Sequence, residues 1–112
     1  IKRRHAEHKL EAIATIAATF PQLPLLLIGD SGQHDPEIYL AAARAHPGRV
    51  AAIYIRNVSE ERRAGAIAAL AAEAAALQVP LLLVPDSAGL AADAVQRGFI
   101  AGGATAAAQG DP

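Results

Sequence analysis

Residues 29–35, GDSGQHD, set two carboxylates five positions apart, Asp30 and Asp35, directly behind the apolar run LLLI. Paired acids suit a hard divalent cation. Magnesium takes oxygen ligands, keeps several of its waters, and is commonly held by one or two carboxylates together with a substrate phosphate. Gly29 allows a tight exit from the preceding segment or a close approach to its backbone, and Gly32 permits a turn within the loop. A purely structural reading stands beside the metal. Asp35, followed by Pro36 and Glu37, has the form of a helix N-cap, and Asp30 can bond the amides of its own loop. Spacing alone leaves both readings open.

Ser31 offers different chemistry. Gly-Asp-Ser after an early strand resembles the start of GDSL-type serine hydrolases, which need a histidine late in the chain in an Asp-x-x-His arrangement. Here no histidine follows His46, and no Asp-x-x-His occurs. Gly-Asp-Ser-Gly also surrounds the nucleophile of trypsin-like proteases, which are all-β, whereas this chain is not. A nucleophilic serine needs a base within hydrogen-bond reach, and none is evident. His5 and His8, with Glu7 between them, miss the four-residue spacing of the His-Glu-x-x-His pattern and read as exposed helix residues. His34 and His46 have no evident partner.

The elements that position these residues follow from periodicity. Leu10, Ile13, Ala14 and Ala17 share one helix face, predicting a first helix over about 4–19 that Pro21 ends. Residues 24–28 form a continuous apolar run suited to a strand covered on both sides. Asp35-Pro36-Glu37 starts a second helix that stops at His46, and Pro47-Gly48 turns into a second strand, RVAAIYIR. Ser59 is the candidate N-cap of a third helix over 59–77, VPLLLV at 79–84 is a third buried strand, and Ser87 is the candidate cap of a fourth helix ending near Gly98. The residues from 99 to 112 are low in complexity and read as a tail. Strands alternating with helices imply parallel pairing through right-handed crossovers, hence an α/β three-layer sandwich with a parallel sheet. The likeness between LPLLLIGDSG and VPLLLVPDSAG is compatible with a duplicated unit, but the shared grammar of a strand feeding a capped helix produces such a likeness by itself. The second copy has proline in place of Gly29 and no counterpart of Asp35, so it reads as structural.

Composition narrows the function. The 112 residues form one domain by length, with 53% hydrophobic residues and a net charge of −1, which gives no electrostatic footprint for nucleic acid or an anionic membrane. Lys2, Arg3 and Arg4 are followed by Glu7 and Glu11 and read as a solvated helix end. The absence of cysteine excludes disulfides and thiolate catalysis and fits a reducing, cytoplasmic setting. No apolar stretch approaches the length of a membrane span.

The string LLLIGDSGQHDPEIY, with HKLEAI before it and HPGRVAAIYIRNV after it, resembles the phosphatidate phosphatase catalytic domain of the actin-patch protein type, a branch of the haloacid dehalogenase-like superfamily. The likeness runs from residue 5 to about 98. It implies a Rossmann-like fold and an aspartate-based, magnesium-dependent phosphatase. Gly29, Asp30 and Asp35 match the superfamily's Gly-Asp…Asp motif, which gives the two acids the role of holding magnesium directly or through water. Lys9 fits the motif lysine on the preceding helix, where an ammonium offsets charge on the phosphate. Ser31, Gly32 and Gln33 become candidate substrate contacts, with His34 a weaker one.

The chain departs from the family in its upstream motifs, the second of which, a Ser or Thr contacting phosphate, ought to lie before this chain. The superfamily's Asp-x-Asp motif, whose first aspartate is the nucleophile, occurs nowhere among Asp30, Asp35, Asp86, Asp93 and Asp111. The resemblance therefore implies the C-terminal half of a catalytic domain, residues 1–98 followed by a tail over 99–112, with the missing N-terminal half as its partner. The expected substrate is a phosphorylated small molecule or lipid, phosphatidate by family, and the chain alone is expected to be inactive. A noncatalytic α/β module that binds a phosphorylated ligand or a partner is the alternative.

Overall fold

The computed structural model describes residues 2–32, 34–57 and 64–101. Its elements run α1 (Lys2–Thr19), β1 (Leu25–Asp30), α2 (Asp35–Ala45), β2 (Val50–Arg56), α3 (Ala64–Ala76), β3 (Leu81–Val84) and α4 (Ser87–Gln96). The strands form one parallel sheet in the order β1-β2-β3. Helices connect them, as parallel neighbours require.

The strands' two-residue period divides the core in two. Ile53 and Ile55 of β2 face one way with Leu27 and Leu81, under Ile13 of α1, Ile38 of α2 and Ile67 of α3. Ala52 and Tyr54 face the other way with Val84, under Ala94 and Leu90 of α4. Among the described residues, three helices on one face and one on the other make the α/β three-layer sandwich that the alternation predicts. β2 is central and covered on both sides, so its sequence carries no polar alternation before Arg56.

β1 differs from its expected form in two ways. It extends two residues beyond 24–28, so Gly29 and Asp30 belong to the strand rather than to the loop after it. It is also not covered on both sides: Ile28 is 48% exposed, because α4, the single described helix on that face, packs over β2 and β3. Gly48, with φ +77°, supplies the left-handed residue that reverses the chain between α2 and β2.

The helix starts also differ from expectation. Asp35 is the first residue of α2 rather than its cap; His34 holds the cap position and makes no side-chain cap bond. Asp86, not Ser87, caps α4, its Oδ1 accepting from the Gly89 amide at 2.8 Å. An Asp-Ser pair leaves either residue free to cap, and the extended backbone of Asp86 decides it. The expected Ser59 cap lies outside the described residues. Packing continues past α4, where Phe99 and Ile100 lie against the cluster beneath it. No described helix is long and apolar enough to cross a membrane.

Candidate functional site

Asp30 ends β1, and a turn through Ser31 and Gly32 returns the chain to α2 at Asp35. The return places the Asp35 side chain against the strand it has just left. Its Oδ2 accepts from the Asp30 amide at 3.1 Å, and its Oδ1 accepts from Lys9 Nζ of α1. The carboxylate is buried, with the residue 5% exposed, and the ammonium compensates its charge. Three groups separated by 26 and 5 positions in the chain thus meet at the carboxyl end of β1.

Gly29 makes this approach possible. A side-chain carbon built on it would lie 2.7 Å from Asp35 Cβ and 2.8 Å from Asp35 Cγ, inside any real contact distance. The glycine therefore admits the Asp35 side chain itself.

Tyr39 completes the wall. One turn into α2, its hydroxyl donates to the Ile28 carbonyl at 2.9 Å, and Lys9 Nζ lies 5.7 Å from its ring centroid, within cation–π range. Burial pulls the Lys9 ammonium down, while the bond to Asp35 and the neighbouring charges push it up; the balance lies above the usual lysine value. Burial, then the Asp35 charge, raises the Tyr39 hydroxyl against the opposing pull of Lys9. Both groups hold their protons at neutral pH.

Asp30 is more open, its side chain 33% exposed, and its Oδ1 accepts from Arg56 Nε at 2.9 Å. Arg56 is Asp30's partner in the β1–β2 ladder. Ser31 is buried, and its amide donates to the Arg56 carbonyl at 2.9 Å. Gly32 is exposed in the turn, Gln33 lies outside the described residues, and His34 is exposed. His5 and His8 are exposed on α1.

The structure therefore brings Lys9, Asp30 and Asp35 together, with Ser31 beneath the turn. Sequence reasoning missed Tyr39 and Arg56. Tyr39 sits four residues after Asp35 on α2, a helical-face spacing that could have flagged it. Arg56 shows no such signal, because its place beside Asp30 is set by strand register.

The donor chemistry fits a hard cation: two carboxylates near the end of β1, one buried and bonded to the other's backbone amide, one partly open, both supplying oxygen. Among the described residues no group of three or more His, Cys, Asp and Glu is gathered as a metal cluster, so any further ligands to such an ion would be waters, substrate or other protein groups.

Residues 1–57 match the family model described as phosphatidate phosphatase APP1, catalytic domain. The phosphatidate phosphatase APP1 of Saccharomyces cerevisiae (strain ATCC 204508 / S288c) is 45% identical over 54 residues, which is 48% of this chain and 9% of that protein. The aligned stretch is thus a small part of that protein's length, and the residues matched by the family model include Lys9, Asp30, Asp35 and Arg56. No solved structure matches the chain.

Proposed function

Because the chain belongs to the family of the phosphatidate phosphatase APP1 catalytic domain, matched over 57 of its 112 residues, we propose that it forms the metal- and phosphate-holding part of a magnesium-dependent phosphatase. The substrate class is a phosphomonoester. Phosphatidate, converted to diacylglycerol, is the candidate that the relative's name suggests.

The observation that carries this reading is the convergence of Lys9, Asp30 and Asp35 at the carboxyl end of β1, where ligands of open parallel sheets bind. In this reading Asp30 and Asp35 hold magnesium, directly or through water. When bound, the ion neutralises charge on the phosphoryl oxygens. Lys9 stays protonated and is fixed by Asp35, so its charge is preorganised and needs little rearrangement as charge moves in the transition state. Tyr39 holds the β1 backbone and the Lys9 side chain in place. Gly32 leaves the turn open for phosphate to reach backbone, with Ser31 and Gln33 as its neighbours. The nucleophile is an aspartate outside these residues. Its carboxylate oxygen bonds to phosphorus as the ester P–O bond breaks. A second acid, also outside these residues, protonates the departing alcohol and then takes the proton of the water that hydrolyses the aspartyl phosphate.

The protein carrying this sequence should release phosphate from phosphatidate in a magnesium-dependent assay. Asp30→Asn and Lys9→Met should each lower turnover about 10²–10³-fold, the scale of losing one preorganised electrostatic contact. Circular dichroism should show both variants folded. The 112-residue chain alone should bind magnesium without turnover. Full activity of Asp30→Asn would refute the assigned role. The absence of any Asp-x-Asp in the chain favours a second reading, a noncatalytic module, for which the whole protein would bind magnesium and phosphate yet release none.

A further inference from the structure

Arg56 is a second cation at the site, and it is held differently from Lys9. Its Nε donates to Asp30 Oδ1 at 2.9 Å, and its Nη1 reaches Ser87 Oγ, at the start of α4, at 3.4 Å. A guanidinium has five N–H donors in a planar fork, and among the described residues these two bonds engage two of them. The Arg56 side chain is 42% exposed and its partner Asp30 33%, whereas Lys9 is 30% exposed but its partner Asp35 only 6%, so the difference lies in the carboxylate each cation holds. A pair in which both partners are partly exposed adds little net stability and exchanges partners readily, whereas a cation that leaves a buried carboxylate leaves an uncompensated charge behind. Of the two cations, Arg56 is therefore the one free to change partner.

Charge balance says when it would do so. Lys9 and Arg56 offset Asp30 and Asp35, so the four groups are neutral together. A divalent cation arriving alone on Asp30 meets the positive charge of Arg56 a few ångströms away, and a phosphate dianion arriving alone meets the Asp30 carboxylate. Arriving together they restore neutrality. The guanidinium fork then matches the phosphate oxygens it would gain in exchange for Asp30.

We propose that Arg56 is a specificity-determining residue for the phosphomonoester dianion: it exchanges its bond to Asp30 for one to the substrate phosphate, and so couples phosphate binding to metal binding. The inference rests on the phosphatase reading of the site. It assigns Arg56 a role that a fixed surface ion pair would not have.

The test is calorimetric, on the folded protein, with magnesium and inorganic phosphate titrated separately and together. In the unaltered protein, saturating phosphate should tighten magnesium binding at least about fivefold, the lower range of allosteric coupling, and magnesium should tighten phosphate by the same factor. In Arg56→Gln, magnesium alone should bind several-fold more tightly, because a neighbouring positive charge is gone, and the coupling should fall below about twofold. Arg56→Lys keeps the charge without the fork and should retain part of the coupling. Unchanged coupling in Arg56→Gln, weaker magnesium binding in that variant, or no coupling in the unaltered protein would each overturn the proposal. Asp30→Asn separates the two claims. If it leaves magnesium binding intact, the phosphatase reading of the site fails and takes this inference with it. If it abolishes magnesium binding while Arg56→Gln behaves like the unaltered protein, only the role of Arg56 fails.

Discussion

A single methyl group tests the local geometry of the site. In Gly29→Ala the new carbon would fall 2.7 Å from Asp35 Cβ, so either β1 or the start of α2 must move. Overpacking of this kind costs typically about 1–3 kcal/mol, and relieving it draws Asp35 away from Lys9 and from the Asp30 amide. Gly29→Ala should therefore unfold at lower denaturant and bind magnesium more weakly, measured by urea melts and calorimetry. Stability and affinity equal to those of the unaltered protein would show that Asp35 does not need this approach. The sequence marks Gly29 as a place of close approach, and the spacing of Asp30 and Asp35 marks a pair of acids. What approaches Gly29 is not legible locally, because a carboxylate that is free to cap a helix can equally turn inward. Lys9, 26 residues from Asp35, enters the argument through family likeness, since no local rule joins the two.

At the scale of elements, helical periodicity, cap and proline signals and short continuous apolar runs are enough to name each described helix and strand and their alternation, hence the layers. The contacts that pin those elements are less visible. Arg49, one residue before β2, places Nη1 on the Ala17 carbonyl at 3.0 Å and Nη2 on the Phe20 and Leu23 carbonyls at 2.7 and 3.0 Å. The last carbonyls of a helix have no partner within it, and a cation there also suits the helix dipole. Arg49 thus closes α1, the helix that carries Lys9, from 32 residues away. Arg49→Ala should lower stability by about 2 kcal/mol, since bonds to a charged group contribute about 1.5–3 kcal/mol. Arg49→Lys should recover less than half, because an ammonium lacks the fork. Similarly, Asp86→Ala should cost about 1 kcal/mol as a lost N-cap, and Ser87→Ala markedly less. Equal losses at 86 and 87 would contradict the assigned cap. Short polar pairs such as Asp86-Ser87 conceal their capping member because either can accept the same amides.

For the molecule as a whole, the layer opposite the site bears on how stability varies with pH. Tyr54 is fully buried beneath α4, and its hydroxyl donates to Asp93 Oδ2 at 2.7 Å, an oxygen that Arg97 Nε also reaches at 2.7 Å. The Tyr54 bond, outweighing the opposing effect of burial and helped by Arg97, holds the Asp93 carboxyl below its usual range. Burial, then the bond to Asp93, pushes the Tyr54 hydroxyl well above its own. The two shifts act at opposite ends of the pH scale. An acid whose folded value is depressed adds stability that is complete above its unfolded value, near pH 4, and lost as pH falls through the folded value. A phenol whose folded value is raised keeps its proton where the unfolded chain has released it, so its contribution is complete below about pH 10 and lost above that. Stability should therefore be level between about pH 5 and 9 and fall at both ends. Lys9, also raised, loses its contribution as pH climbs past its unfolded value near 10.5 and adds to the alkaline fall. Comparison with Tyr54→Phe removes the Lys9 part. That variant should lose about 1.5–3 kcal/mol across the plateau, the scale of a bond to a charged group, and should show shallower slopes on both sides. Urea melts at pH 3, 7 and 10.5 provide the measurement. Slopes unchanged by Tyr54→Phe would mean that the Tyr54–Asp93 pair does not couple α4 to the sheet.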